Sequence, residues 1–191
     1  MPGKQAKILS DEIIKDLLTY AGRSRYPARN KVIVLLSVKA GLRAAEIANL
    51  TWPMVLEPDG LIGRHIELAD KAAKKGSGRR IPLHAELAAA LRELRRLSPG
   101  PGHVVRSERG YGMSPLSIVT WFAAAFQNLG LSGCSSHSGR RTFITRAARR
   151  VHEAGGSLRD VQLLAGHRSI QTTERYIDGD TDAQHRLVSL I

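Results

Sequence analysis

The stretch Ser136-His137-Ser138-Gly139-Arg140-Arg141-Thr142-Phe143 is followed by Leu164-Ala165-Gly166-His167-Arg168-Ser169-Ile170-Gln171-Thr172-Thr173-Glu174-Arg175-Tyr176. Together they put two histidines, several arginines and a tyrosine in the last third of the chain. With Gly41-Leu42-Arg43-Ala44-Ala45-Glu46-Ile47 upstream, they form a set suited to grip a phosphodiester with cations and attack it with a phenol oxygen. Cleaving that bond at neutral pH requires neutralised non-bridging oxygens, an in-line nucleophile and a proton for the leaving oxygen. Arg43 and Arg140 are permanently charged forks able to hold phosphate oxygens bidentately. His137 lies three positions before Arg140, so on a helix both side chains share a face and can address one phosphate. Tyr176 follows a polar segment nine residues beyond His167, whereas a lone tyrosine usually packs half-buried. Taken singly, each arginine reads as a surface residue and His137 as a cap; only the set argues for chemistry.

The composition agrees. The chain has 191 residues, 42% of them hydrophobic, enough to bury a core as one domain or one domain with a small appendage. Its 29 Lys and Arg outweigh 17 Asp and Glu, and a net charge of +12 points to a polyanionic partner. Two clusters concentrate the charge: Lys71, Lys74, Lys75, Arg79 and Arg80, and Arg140, Arg141, Arg146, Arg149 and Arg150. No acid interrupts either. The single cysteine, Cys134, excludes an intramolecular disulfide and a cysteine-rich metal site, which suits a reducing cytoplasm. Residues 1–7 are short and basic, without the apolar core of a signal peptide, and no run reaches the ~18 apolar residues that span a bilayer.

Local signals predict a mainly α fold with one small antiparallel β-sheet, an α+β class. Ser10 caps a helix over 11–21 with Ile13, Ile14, Leu17 and Leu18 on one face. Pro27 opens a second helix that Gly41 ends, and residues 44–49 make a short third, leaving Arg43 at its start with a side chain free to reach outward. Residues 61–68 and 80–83 read as strands, with 74–78 as the tip between them. Helices resume over 84–97, from Ser114-Pro115 through Leu129, over 137–154, 158–165 and 170–175, and near 182–190.

The order Gly-Leu-Arg-x-x-Glu-Ile-x-x-Leu-x-Trp at 41–52, His-x-x-Arg-x-Thr-Phe at 137–143, Leu-x-Gly-His-x-Ser-Ile-x-Thr-Thr at 164–173 and the terminal Tyr176 resembles the catalytic domain of the tyrosine recombinase (phage integrase) family. Each block alone is weak; four in order are specific, and they cover the chain from about Ile8 to Tyr176. The resemblance implies that fold over 8–191, preceded by a basic arm at 1–7 and lacking the family's N-terminal core-binding domain. Residues 178–191 would be a tail exchanged between subunits. It implies site-specific cleavage and rejoining of duplex DNA through a covalent 3′-phosphotyrosine, without metal, ATP or other cofactor, because the protein–DNA bond conserves the energy.

By the same resemblance, Arg43 and Arg140 bind the phosphate, His137 assists proton transfer, His167 hydrogen-bonds the scissile phosphate and Tyr176 attacks. Glu46 supports Arg43. A general-acid lysine belongs at the hairpin tip eight residues before the strand proline; counting back from Pro82 gives Lys74, with Lys71 and Lys75 as alternatives. Lys71, Lys75, Arg79, Arg80, Arg141, Arg168 and Arg175 would contact DNA. The implied partner is double-stranded DNA, bound by a protein that is monomeric in solution and tetrameric on synapsed sites, with accessory DNA-bending proteins; the implied setting is a bacterial, archaeal or phage-encoded cytoplasmic protein. Two other readings use the same residues: a recombinase-like DNA-binding regulator with little turnover, and a type IB topoisomerase. The chain departs from many relatives at Gly139, which is expected to loosen its helix start, at Arg141 in place of histidine, at Ala165 in place of leucine, and at Tyr176-Ile177-Asp178 in place of Tyr-x-His.

Overall fold

The computed structural model describes residues 6–70, 72–73, 78–176 and 188–189. Its elements run α1 (Asp11–Gly22), α2 (Pro27–Ala40), α3 (Ala44–Asn49), a 3-10 turn (Trp52–Met54), β1 (His65–Leu68), β2 (Arg79–Pro82), α4 (Ala85–Leu97), α5 (Pro115–Asn128), α6 (Ser138–Arg150), α7 (Leu158–Ala165) and α8 (Ile170–Glu174). Local chemistry sets most ends. Ser10 and Ser114 accept hydrogen bonds from the amides of Ile13 and Ser117, and Pro27 and Pro115 occupy first turns where a missing N–H is harmless. Gly41 and Gly166 end α2 and α7 in the left-handed conformation, with φ of 64° and 63°.

Helix α2 is the axis of the fold. Nine of its 14 residues are buried, so it is covered on nearly all sides, as an apolar helix in a core must be. Helices α1, α4 and α6 pack on it, and α5 packs on α3 and α1. The strands pair antiparallel, with His65 opposite Pro82 and Leu68 opposite Arg79, and put Ile66, Leu68 and Ile81 into the core. A second, smaller apolar cluster of Ile144, Val151, Val161 and Ala165 sits between α6 and α7, with Tyr176 against it. Beside this seam the functional side chains gather.

Three expectations are corrected. Leu61 to Arg64 lie outside β1: Leu61 is exposed, and Leu56 and Ile62 form only an isolated bridge. Helix α6 stops at Arg150 and turns through 151–155, where Gly155 takes a φ of 69° and the Gly156 amide bonds back to the Val151 carbonyl. Gly139 does not loosen the start of α6. It lets α6 lie against α2, since a Cβ there would stand 2.2 Å from Ser37 Oγ. The hairpin tip and nearly all of the tail lie outside the described residues. No helix among the described residues is long and apolar enough to cross a membrane.

Candidate active site

The centre is built around a buried carboxylate. Glu46 has no exposed surface. Its Oε2 accepts the Arg43 amide at 2.9 Å, closing the first turn of α3, and its Oε1 accepts Arg43 Nη1 at 2.7 Å. Arg79 approaches from β2 with Nη1 and Nη2 each 3.1 Å from one oxygen, and Arg140 Nη1 lies 4.0 Å from Oε2. One acid therefore stands among three guanidinium groups from distant parts of the chain. Burial alone would raise its pKa, but hydrogen bonding and charge from Arg79, together with the amide and charge of Arg43, outweigh burial and hold it at about 2.

Arg140 projects from α6 into the interior, 3% exposed. It donates from Nη1 to the Gly41 carbonyl at 2.6 Å and from Nη2 to the Ala165 carbonyl at 2.7 Å. Gly41 is required for this geometry twice over. Its φ is left-handed, and a Cβ would stand 2.4 Å from the Phe143 ring. Burial and the neighbouring Arg43 lower the Arg140 pKa to about 10, which leaves it charged at neutral pH.

Arg140 Nη2 also lies 3.0 Å from His167 Nε2, and His167 Nδ1 lies 2.9 Å from Thr173 Oγ1. A guanidinium has no lone pair to offer, so Nε2 accepts. The ring proton therefore sits on Nδ1 and is donated to the threonine. Burial first, then Arg140 and Arg43, lower the His167 pKa to about 4, so the imidazole is neutral at pH 7. The Gln162 side chain fixes the residue by donating to the His167 carbonyl at 2.9 Å. The Tyr176 ring stacks on the imidazole at a centroid distance of 5.3 Å, and its carbonyl accepts from Thr145 Oγ1 at 3.0 Å.

His137 occupies the N-cap position of α6 without a side-chain capping bond, and its side chain is exposed. It opens onto a cleft of about 330 Å³ shared with Arg140, Arg141, Thr172, Arg175 and Tyr176. A second cleft, of about 360 Å³, lies on the β2 side between Arg79, Arg80, Leu163, His167 and Arg168. Arg43, His137, Arg140, His167 and Tyr176 are thus brought to one seam. Arg43 is not free to reach outward, because one nitrogen is tied to Glu46 and its side chain is 22% exposed. Arg80, Arg168 and Arg175 are exposed around the clefts, whereas Arg141 is half-buried and donates to the Ala6 carbonyl. Arg79 departs from the groove contact expected of it: it is buried and turned inward, with its donors on Glu46 and on the Leu164 carbonyl. Lys71, Lys74 and Lys75 lie outside the described residues.

Thr173, the last residue of the 164–173 block, had no role assigned from the sequence, yet it is the partner of His167 Nδ1. The six-residue spacing from His167 carries no helical or strand signal, because a turn intervenes between α7 and α8.

A mainly helical fold with one small antiparallel sheet, gathering Arg43, Glu46, Arg140, His167 and Tyr176 along one seam, defines the class to which the chain belongs. The chain belongs to the phage integrase family, whose family model matches residues 7–182. It is 30% identical over 189 residues to the tyrosine recombinase XerC of Rhizobium meliloti (strain 1021), covering 94% of this chain and 56% of that protein. The chain therefore spans about half the length of the curated relatives it matches. Among solved structures, the Tn1549 transposon integrase in complex with a circular intermediate DNA aligns with a TM-score of 0.78 at 17% identity, covering 100% of this chain and 67% of that one. The XerA recombinase aligns at 0.76 with 22% identity, covering 99% and 66%. At these identities the structural matches establish the fold.

Proposed function

We propose that this chain is the catalytic domain of a site-specific DNA strand transferase. The carrying observation is the Arg43–Glu46–Arg140–His167–Tyr176 chain of contacts, which joins cations from distant parts of the chain to a phenol. In this reading Tyr176 Oη attacks the scissile phosphorus, the bond to the 5′-oxygen breaks, and a 3′-phosphotyrosine forms while a 5′-hydroxyl leaves. Arg43 and Arg140 neutralise the non-bridging oxygens and His137 handles the proton of the phenol. Lys74 donates to the leaving oxygen, with Lys71 and Lys75 as its alternatives. Rejoining runs the same steps in reverse, needing neither metal nor ATP.

His167 has to change its hydrogen bonding to take part. A phosphate oxygen that captures Arg140 Nη2 releases His167 Nε2, which can donate only after it gains a proton. Thr173 suits that change, since its hydroxyl can accept from Nδ1–H or donate to bare Nδ1.

The DNA is duplex, gripped by the exposed cations Arg80, Arg168 and Arg175. The protein is a monomer when free, assembles as four protomers on synapsed sites with accessory DNA-bending proteins, and works in the cytoplasm of a bacterial or archaeal cell. The decisive experiment is a nicked suicide duplex, from which the short 5′-hydroxyl fragment diffuses away and blocks religation. Wild-type protein is expected to accumulate a covalent adduct in the presence of EDTA, and Tyr176→Phe to form none while binding normally. Binding without any wild-type adduct would reduce the chain to a DNA-occupying module, and metal-dependent chemistry would overturn the mechanism.

A further inference from the structure

Arg79 leaves β2 beside the hairpin turn and points inward, with its side chain 5% exposed. Its Nε donates to the Leu164 carbonyl at 2.8 Å, while Nη1 and Nη2 meet the two Glu46 oxygens at 3.1 Å each. Gly166 makes the space: a Cβ there would stand 2.8 Å from Arg79 Nη1. One guanidinium thus joins the carboxylate of α3, the strand of the hairpin and the turn that carries His167. A lysine has the charge but not the planar fork needed to span two carboxylate oxygens and a carbonyl at once.

We propose that Arg79 is a positioning residue that sets Arg43 and Arg140 through Glu46, without touching DNA. With Arg79 in place, both Glu46 oxygens are engaged, and Arg140 keeps its bonds to the Gly41 carbonyl and His167. Without it, the buried carboxylate draws Arg140 inward and away from the phosphate. The geometry stands by itself; its effect on strand transfer rests on the function proposed above.

The test compares Arg79→Lys, Arg79→Met, Glu46→Gln and the Arg79→Met/Glu46→Gln pair on the nicked duplex. Expected are duplex affinities within about twofold of wild type and an unchanged salt slope, since no phosphate contact is lost. The adduct rate at saturating DNA should fall about 100-fold in both Arg79 variants, as when reacting groups are misplaced by about 1 Å. The paired variant should lose no more than the worse single, the mark of two residues acting through one contact. A salt slope shallower by about 0.9 would make Arg79 a phosphate contact and overturn the proposal; additive losses in the pair would overturn it equally. If Arg79→Met does not fold, the pair, which removes both buried charges together, is compared with Glu46→Gln: equal rates support the proposal and a further drop overturns it. Should wild type form no adduct, the strand-transfer reading falls, and the binding measurements still decide whether Arg79 faces DNA.

Discussion

At the scale of single residues, the site depends on Glu46 more than on any of the cations it serves. Removing the carboxylate leaves Arg79 and Arg140, both nearly buried, without their counter-charge. Breaking such a cluster costs about 3–5 kcal/mol. At roughly 2–4 °C per kcal/mol for a domain of this size, Glu46→Ala should lower Tm by about 10 °C in a thermal melt. A melt within 2 °C of wild type, as ordinary scatter would give, would show the cluster to be solvated. The motif at 41–52 named Glu46 and Arg43 as partners, but nothing in it indicated that Arg79 would complete the set, because that pairing spans 33 residues and exists only once β2 is docked.

At the scale of elements, the α2–α6 contact shows how a departure from common family sequence is accommodated. Gly139 lets α6 approach α2, and the neighbouring Ser37 Oγ is buried without a hydrogen-bond partner among the described residues. An unsatisfied buried hydroxyl is a liability, and its removal leaves space for a side chain opposite. Ser37→Ala should therefore raise Tm by about 2–4 °C. Gly139→Ala should lower stability by about 1–3 kcal/mol through overpacking. Combining the two should recover part of that loss, and independent, additive effects in denaturant melts would contradict the contact. Most helix starts and stops were legible because caps and glycines act within four residues of chain. The overextended readings of α6 and β1 failed where a turn was set by neighbours: Gly156 bonding back to Val151, and Gly63 donating to Val55 in place of a ladder partner.

At the scale of the whole molecule, charge sets the expected response to acid and, on the function proposed above, to salt. The exposed Arg80, Arg168 and Arg175 should each contribute about 0.9 to the slope of log affinity against log salt, so neutralising all three should flatten it by nearly 3 in a salt titration. His167, depressed to about 4 from an ordinary 6.5, binds its proton more readily in the unfolded chain. Its contribution is therefore complete above about pH 6.5 and is lost as pH falls toward 4. Glu46, depressed from 4.5 to about 2, contributes fully above 4.5 and loses that contribution as pH falls through 2. Stability should thus decline in acid over two successive windows, and His167→Asn should flatten the upper one. A melt series in which that variant keeps the full decline between pH 6.5 and 4 would assign it to other groups.

By itself the sequence determined the inventory and most of the framework: a basic chain, helices begun by Ser10, Pro27 and Ser114-Pro115, the second of them ended by Gly41, and the five side chains that meet at the seam. Those features are written locally, in backbone preferences and in the charge a residue carries wherever it lies. Only the tertiary structure decided how each group is used. It turned Arg79 inward, tied Arg43 to Glu46, placed the His167 proton on the nitrogen facing Thr173, and made Gly139 a point of helix contact. These outcomes depend on which donor lies within about 3 Å of which acceptor across a packed interior, and the chain sets that distance only after α2, β2, α6 and α7 have closed on one another.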